Sequence, residues 1–460
     1  MTSPVDPALA ADEIAAIAEE AYLYAHPMLV AYAFFHGQVL GPDRPEKQAV
    51  NRFTHFRTLS SPTLNNTIPW VNTDTLYSAV WLDLRAEPMV LRTPAFEDHR
   101  FHDIQANDWY TMAFVTRGTR DRGNGARTYM FAGPDWRGEA PAGVDEVLVA
   151  ESWFVKLFAR VVVEGPGDET AIHALQDDYR LEPLSAFLDR ERPPPPPIVD
   201  FPKPDPAGFR DRAFFEIPTP AFIGYFNFLM TLAAVHPSEA ALFRRFARIG
   251  ARPGAAFDPD ELSPPEVAAI QQGIDAATAK IRARLARLDE PVNGWVYPLD
   301  LRGGRDVLAG SFDAYLRRAV LARFAIWGPP AEEVVYMNVE TDACGAPLDG
   351  AAQAYQLRFE APPPARGFWS FTVYDAATRL LSAHPSGRYK LGDRDREMVR
   401  GPDGSLTLYL QHQAPANAPQ ANWLPVPQAP FQVVGRLYWP EAELLDRRYR
   451  PPALQPVQSA

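Results

Sequence analysis

The 47 prolines in this chain of 460 residues limit its fold more than any other feature. Each fixes φ and removes a backbone donor, so turns and edge strands are favoured and long uninterrupted helices are penalised. The run of five at 193–197, with Pro202, Pro204 and Pro206 behind it, reads as a stiff extended connector laid across the surface. Pro27 falls inside the apolar segment AYLYAHPMLVAYAFFHGQ and predicts a kink or break in a buried helix there.

A chain this long implies two or three structural units. The first helix begins after Asp12, with Ile14, Ile17, Ala21, Tyr24, Met28 and Leu29 at helical spacing. From Asn72 to Glu164 the pattern alternates instead. It predicts strands at 76–84, 89–91, 102–105, 110–116, 127–131, 146–150 and 153–163. Turn-rich segments such as RGTRDRGNGAR separate them, and antiparallel strands of this kind suggest a sandwich or partial barrel. Helices are predicted at 168–188, 222–235, 237–249, 265–288 and 311–326, with Ser263 capping ahead of Pro264 and Pro265. Strands return at 334–339, 353–359, 369–374, 405–411 and 432–438, and a short helix follows at 440–445. The order β, α, β makes this an α+β chain with a helical block between two β units.

Charge and motif content argue against several function classes. A net charge of -12 with no basic tract argues against nucleic acid. Cys344 is the one cysteine, so no intramolecular disulfide forms; in TDACGAPLDG it reads as an inert turn thiol. No apolar run is long enough to span a membrane. The N-terminus lacks a basic start and an apolar run, so a cytoplasmic location is expected. The nine histidines show no HxH or HExxH spacing, and CxxC, GxSxG and the dinucleotide fingerprint are all missing. No metal and no cofactor are therefore expected.

Two blocks of motifs carry a family resemblance. The first runs through EEAYLYAHPM, VNTDTLYSAVWLDL, TRGTRDRGNGARTYMFAGPDWRG and FARVVVEGPGDETAIHALQDDYRLEPL; the second through FWSFTVYDAATRLL, RYKLGDR, GSLTLYLQH, NWLPVP and FQVVGRLYWP. Together they resemble the paired bacterial families called domain of unknown function 1254 and domain of unknown function 1214, over roughly 50–180 and 335–440. The resemblance implies an N-terminal antiparallel β domain, helices and a C-terminal jelly-roll-like β-sandwich. The corresponding divisions are a helical segment at 1–50, the first β domain at 51–190, the connector and helical block at 191–330, and the second β domain at 331–460. The family pattern usually follows the aspartate and tyrosine of Asp108–Tyr110 with asparagine, where this chain has Thr111 and Met112.

Four constellations could carry chemistry. In WVNTDTLY, Asp74 suits a general base or metal ligand, Tyr77 a proton donor, and Asn72 and Thr75 orienting groups; the bland alternative is an Asx turn opening the strand. In FHDIQANDWYT, His102 and Asp103 point to opposite strand faces while Asp103 and Gln105 share one. Asp108 and Tyr110 follow, and the favoured reading of Asp108 is a hairpin-turn residue. The arginines Arg117, Arg120, Arg122 and Arg127 could fork a carboxylate or phosphate, or form a solvated hairpin tip. In the second β domain Tyr374, Arg388, Trp423 and His412, with Trp369, Trp439, Tyr409 and Tyr438, would suit a stacking ligand or a simple core.

The reading these features favour is a cofactor-independent enzyme, of hydrolase or lyase type, acting on a small, partly apolar or cyclic organic molecule. Asp74, Tyr77 and Tyr110 would be catalytic, and Asn72, Thr75, Asp108, Arg117, Tyr374, Arg388 and Trp423 would bind substrate. The pocket is expected between the first β domain and the helical block. The alternatives are a carbohydrate or small-molecule binding protein without turnover, and a homo-oligomer assembled through its aromatic strands.

Overall fold

A computed structural model describes residues 3–41, 49–64, 66, 69–198, 201–203, 217–301, 305 and 312–457. Its first β unit comprises β1 (Thr54–His55), β2 (Thr75–Asp83), β3 (Met89–Thr93), β4 (His102–Asn107), β5 (Ala113–Gly118), β6 (Arg127–Ala132), β7 (Glu146–Val149), β8 (Phe154–Val162) and β9 (Arg180–Pro183). They form two sheets, ordered β1-β2-β8-β4-β5 and β7-β6-β3-β9. Leu76, Val80, Leu82, Ile104, Val155, Leu157 and Val161 point inward from the first sheet onto Met89, Leu91 and Phe131 of the second. This is the alternation read from the sequence: the seven predicted strands lie within a few residues of β2 to β8, while β1 and β9 were not predicted.

The second β unit is also a sandwich. It contains β10 (Trp295–Val296), β11 (Val334–Val339), β12 (Ala354–Phe359), β13 (Ala365–Asp375), β14 (Lys390–Gly392), β15 (Leu406–Gln411), β16 (Trp423–Pro425), β17 (Phe431–Pro440) and β18 (Gln455–Val457). The sheet orders are β10-β11-β17-β13-β14 and β16-β15-β12-β18. Val335, Met337, Trp369, Phe371, Val433 and Leu437 pack on Leu357, Leu408 and Leu410 between them.

A third core gathers around α1 (Ala11–Phe35) and includes α4 (Phe222–Leu229), α5 (Ala240–Phe246), α6 (Pro264–Leu285) and α7 (Phe312–Ala325). Helix α1 runs through Pro27 without interruption and ends in a single π turn, His36–Leu40. The expected break does not occur, because α1 is buried almost all round and tertiary packing outweighs one lost hydrogen bond. At the start of α6 the Ser263 and Glu266 side chains form a capping box.

Two further expectations need correction. Residues 168–188 are not one helix: α2 (Glu169–Asp177) gives way to β9 and then α3 (Leu184–Phe187). Strand β9 completes an edge by pairing with β3, which no local pattern announces. The sheets are not wholly antiparallel, since β6–β7 and β15–β16 pair in parallel. The proline connector runs extended as expected, held where Arg85 donates to the Pro196 and Pro197 carbonyls; Pro204 and Pro206 lie outside the described residues. Among the described residues no helix is long and apolar enough to cross a membrane.

Candidate functional site: a polar seam between the sandwiches

Each large sheet has a second face, and neither is exposed to water as a polar face normally would be. On the first sheet, register places Tyr77 beside Arg160, and Trp81 beside Lys156, across β2 and β8. Asp103, Gln105 and Asn107 of β4 lie beside Arg160, Phe158 and Lys156. On the second sheet the same parity gathers Tyr336, Ser370, Thr372, Tyr374, Lys390, Gln432, Arg436 and Tyr438. The two faces meet, sealed along one lip by Phe101, Val162, Val334, Phe368 and Tyr438. Tyr77, Phe158 and Tyr336 remain half-buried within the seam.

Asp74 pins the two halves together. Ser370 Oγ donates to its Oδ2 at 2.7 Å, Arg394 Nη2 reaches Oδ1 at 2.6 Å, and Lys390 Nζ lies 3.5 Å away. Burial opposes its ionisation, but Lys390, Arg394, Arg436 and the Ser370 hydrogen bond outweigh burial and hold the carboxyl well below the usual carboxylate range. A carboxylate held so firmly ionised is a weak base and carries no proton to give, so the acid–base role expected for Asp74 has no support in its surroundings. Asn72 makes the Asx turn, its Oδ1 accepting from the backbone N–H of Asp74 and Thr75, while its Nδ2 donates to Tyr438 Oη at 2.6 Å. Thr75 Oγ1 is buried without a partner.

The two arginines of the seam differ in their pairing. Arg160 donates to Asp103 at 2.8 Å and to Gln105 at 2.6 Å. Arg436 is wholly buried, and its bonding partners are all neutral: the Trp70 and Val71 carbonyls, Tyr374 Oη at 2.8 Å and Thr372 Oγ1. No carboxylate lies within ion-pair distance of Arg436 among the described residues. The Nε of each arginine is buried with no partner. Tyr336 and Tyr438 are near both guanidinium groups.

The remaining expected site residues lie elsewhere. Strands β2 and β4 both run antiparallel to β8 and flank it, with Thr75 opposite Val162 and Asn107 opposite Lys156. That puts Asp74 and the Asp108–Tyr110 turn at opposite ends of the sheet, roughly 20 Å apart at the strand rise. Tyr110 Oη donates to the Ala234 carbonyl at 2.8 Å, against the helices. Asp108 accepts from Met112 N–H at 3.0 Å, and burial with nearby Glu151 pushes its carboxyl up to about 7. Arg318 sits close by, its three nitrogens unpartnered, among the rings of Tyr24, Tyr110 and Tyr315.

Arg117 is not free to fork a ligand, because Glu146 occupies it at 3.0 and 2.6 Å. Arg122 shares Glu146, and Arg120 pairs with Glu333. Arg388 staples the Gln420, Ala421 and Trp423 carbonyls, and Trp423 Nε1 donates to Gln411 O, so both hold a sheet edge rather than a ligand. Of the residues expected to bind substrate, Asn72, Thr75 and Tyr374 are at the seam. Arg160, Arg436, Lys156 and Tyr336 were not anticipated. For the three cations the signal is a basic residue inside an otherwise apolar strand, as in FVKLFARVV and FQVVGRLYW; Tyr336 carries no such signal.

The crystal structure of the VPA0106 protein from Vibrio parahaemolyticus superposes with a TM-score of 0.77 at 26% identity, over 97% of this chain and 100% of that one. An uncharacterized protein from Burkholderia cenocepacia matches at a TM-score of 0.45 and 12% identity, over 95% of this chain and 88% of that one. No curated protein matches. Residues 50–183 match the family described as protein of unknown function (DUF1254), and residues 333–442 match the one described as protein of unknown function (DUF1214). The chain thus belongs to these two paired families, the first supplying the Asp74 side of the seam and the second the Arg436 side.

Proposed function

We propose that the protein acts on a small, partly apolar organic anion held in the seam between its two sandwiches, with chemistry of lyase type. The observation that carries this reading is Arg436, a wholly buried cation with only neutral bonding partners and an unpartnered Nε. Its electrostatic neighbour Asp74 already bonds Ser370 and Arg394, so Arg436 has no carboxylate of its own within ion-pair distance among the described residues, and an anionic ligand would supply one. The unpartnered Nε of Arg160 offers a second donor, and the half-buried rings of Tyr77, Phe158 and Tyr336 offer an apolar wall. Fixed guanidinium donors stabilise developing negative charge, as an enolate or carbanion requires. Hydrolysis is less well supported, since Asp74 is too firmly ionised to activate water.

The test is a thermal-shift screen of aromatic and aliphatic carboxylates against their uncharged amides. A ligand at a hundredfold excess over its Kd should stabilise the fold by about 2.7 kcal/mol. Tyr77→Ala removes a seam ring that has no hydrogen-bonded hydroxyl among the described residues, so it should fold normally yet lose most of the shift. Stabilisation by the amides as strongly as by the acids would refute the anion reading.

A further inference from the structure

The chain has five lysines among its 45 basic residues, and one of them, Lys156, occupies an unusual position. Its side chain is buried, with Nζ 4.9 Å from the Trp81 ring, 5.3 Å from Phe158 and 5.9 Å from Trp327. Among the described residues its one polar contact is Gln38 Oε1, at 3.3 Å. No carboxylate lies within ion-pair distance among the described residues. A lysine needed only for packing could keep its amine charged by pairing or by reaching water; this one does neither. Burial pushes its amine down to about 7, into the range where a useful fraction is unprotonated and nucleophilic.

Position ties this amine to the seam. Lys156, Phe158 and Arg160 alternate along β8 and share one face. The Phe158 centroid lies 5.3 Å from Lys156 Nζ and 5.9 Å from the Arg160 guanidinium carbon. The two heads are therefore no further apart than those distances together, a span that suits a carboxylate and a carbonyl at opposite ends of one ring. Phe158 and Gln38 are both half-buried, so the cage is not closed on those sides.

We propose that the Lys156 amine forms an imine with the carbonyl of an oxo acid or aldehyde acid whose carboxylate is held at Arg160 and whose apolar body lies against Phe158. This rests on the seam being an anion site. The nitrogen lone pair attacks the carbonyl carbon, and the C–O π pair moves to oxygen, which takes up one amine proton. The resulting hydroxyl departs with the second amine proton as water, leaving C=N. The protonated imine withdraws electrons from the neighbouring carbon, the requirement of a lyase that cleaves a bond there.

The experiment is borohydride trapping on the full chain with para-carboxybenzaldehyde, benzaldehyde as control, and peptide mapping of every lysine. Hydride reduces a formed imine to a stable secondary amine. The expected result is about tenfold more adduct at Lys156 with the acid than with benzaldehyde, the advantage of a held carboxylate. The exposed Lys203 and Lys280 should label alike with both. Lys156→Arg should abolish the selective adduct while leaving the surface labelling unchanged. Equal labelling of Lys156 by both aldehydes, or none by either, overturns the inference. If benzoate still raises the melting temperature without any Lys156 adduct, the imine fails and the anion site stands; if no carboxylate stabilises the protein, both fail.

Discussion

At the scale of single residues, Thr111 explains a departure from the family pattern. It has φ 65°, in the left-handed region that β-branched side chains avoid and asparagine tolerates. Its N–H closes a turn onto the Asp108 carbonyl at 3.0 Å. The asparagine usual after the aspartate and tyrosine is thus suited to the backbone, with no need for a chemical role. Thr111→Asn should raise stability by about 1 kcal/mol, read as a higher urea midpoint with unchanged slope. The sequence pattern alone places a strand over 110–116, because nothing local marks the tight turn that delays β5 to Ala113. The Asx turn at Asn72 is the opposite case: short-range side-chain chemistry makes it legible, and it forms.

Among the elements, the contact between α1 and α6 sets how the helical core closes. A Cβ added at Gly273 would lie 2.3 Å from the Ala15 carbonyl oxygen and 2.7 Å from the Glu19 nitrogen. The two backbones therefore touch directly, and no side-chain rotation relieves the overlap. Gly273→Ala should destabilise the protein by about 1–3 kcal/mol in thermal unfolding, despite alanine's better helix propensity. Gly165→Ala, where nothing lies within 4 Å, is the matched control and should be near neutral. Helical periodicity and the Ser263 cap announce α6 to within a few residues, since both signals lie within one segment. The crossing partner of Gly273 lies more than 250 residues away, at Ala15 and Ala18, beyond any local pattern.

For the whole molecule, Asp74 is a buried ionic joint between two otherwise complete sandwiches. Its side-chain partners Ser370, Lys390 and Arg394 all come from the second one. Asp74→Asn leaves those cations facing an uncharged amide and should cost about 3–5 kcal/mol at neutral pH, measured by urea unfolding. The folded carboxyl titrates below its ordinary value of 3.8. The folded state thus takes up this proton less readily than the unfolded state. The stability it contributes is whole above 3.8 and drains away as pH falls through the folded value. The gap between wild type and variant should therefore narrow in acid. A gap that stays constant below pH 3.8 would show that Asp74 does not pin the sandwiches through its charge.

Strand alternation, helix spacing, the capping box and the turn at Asn72 were decided by the sequence itself, because each depends on residues a few positions apart. The alternation also reveals that β8 and β17 carry cations on one face. What it does not disclose is what covers that face, and the chemistry depends on it. Only the tertiary structure turns the two polar faces toward each other, gathers Lys390, Arg394 and Arg436 around Asp74, and leaves Arg436 and Lys156 with no carboxylate within ion-pair distance among the described residues. Only it separates Asp74 from Tyr110, by running β2 and β4 in one direction on either side of β8. Charge acts through space, so a residue's ionisation is set by neighbours that, for Asp74, lie some 300 positions along the chain.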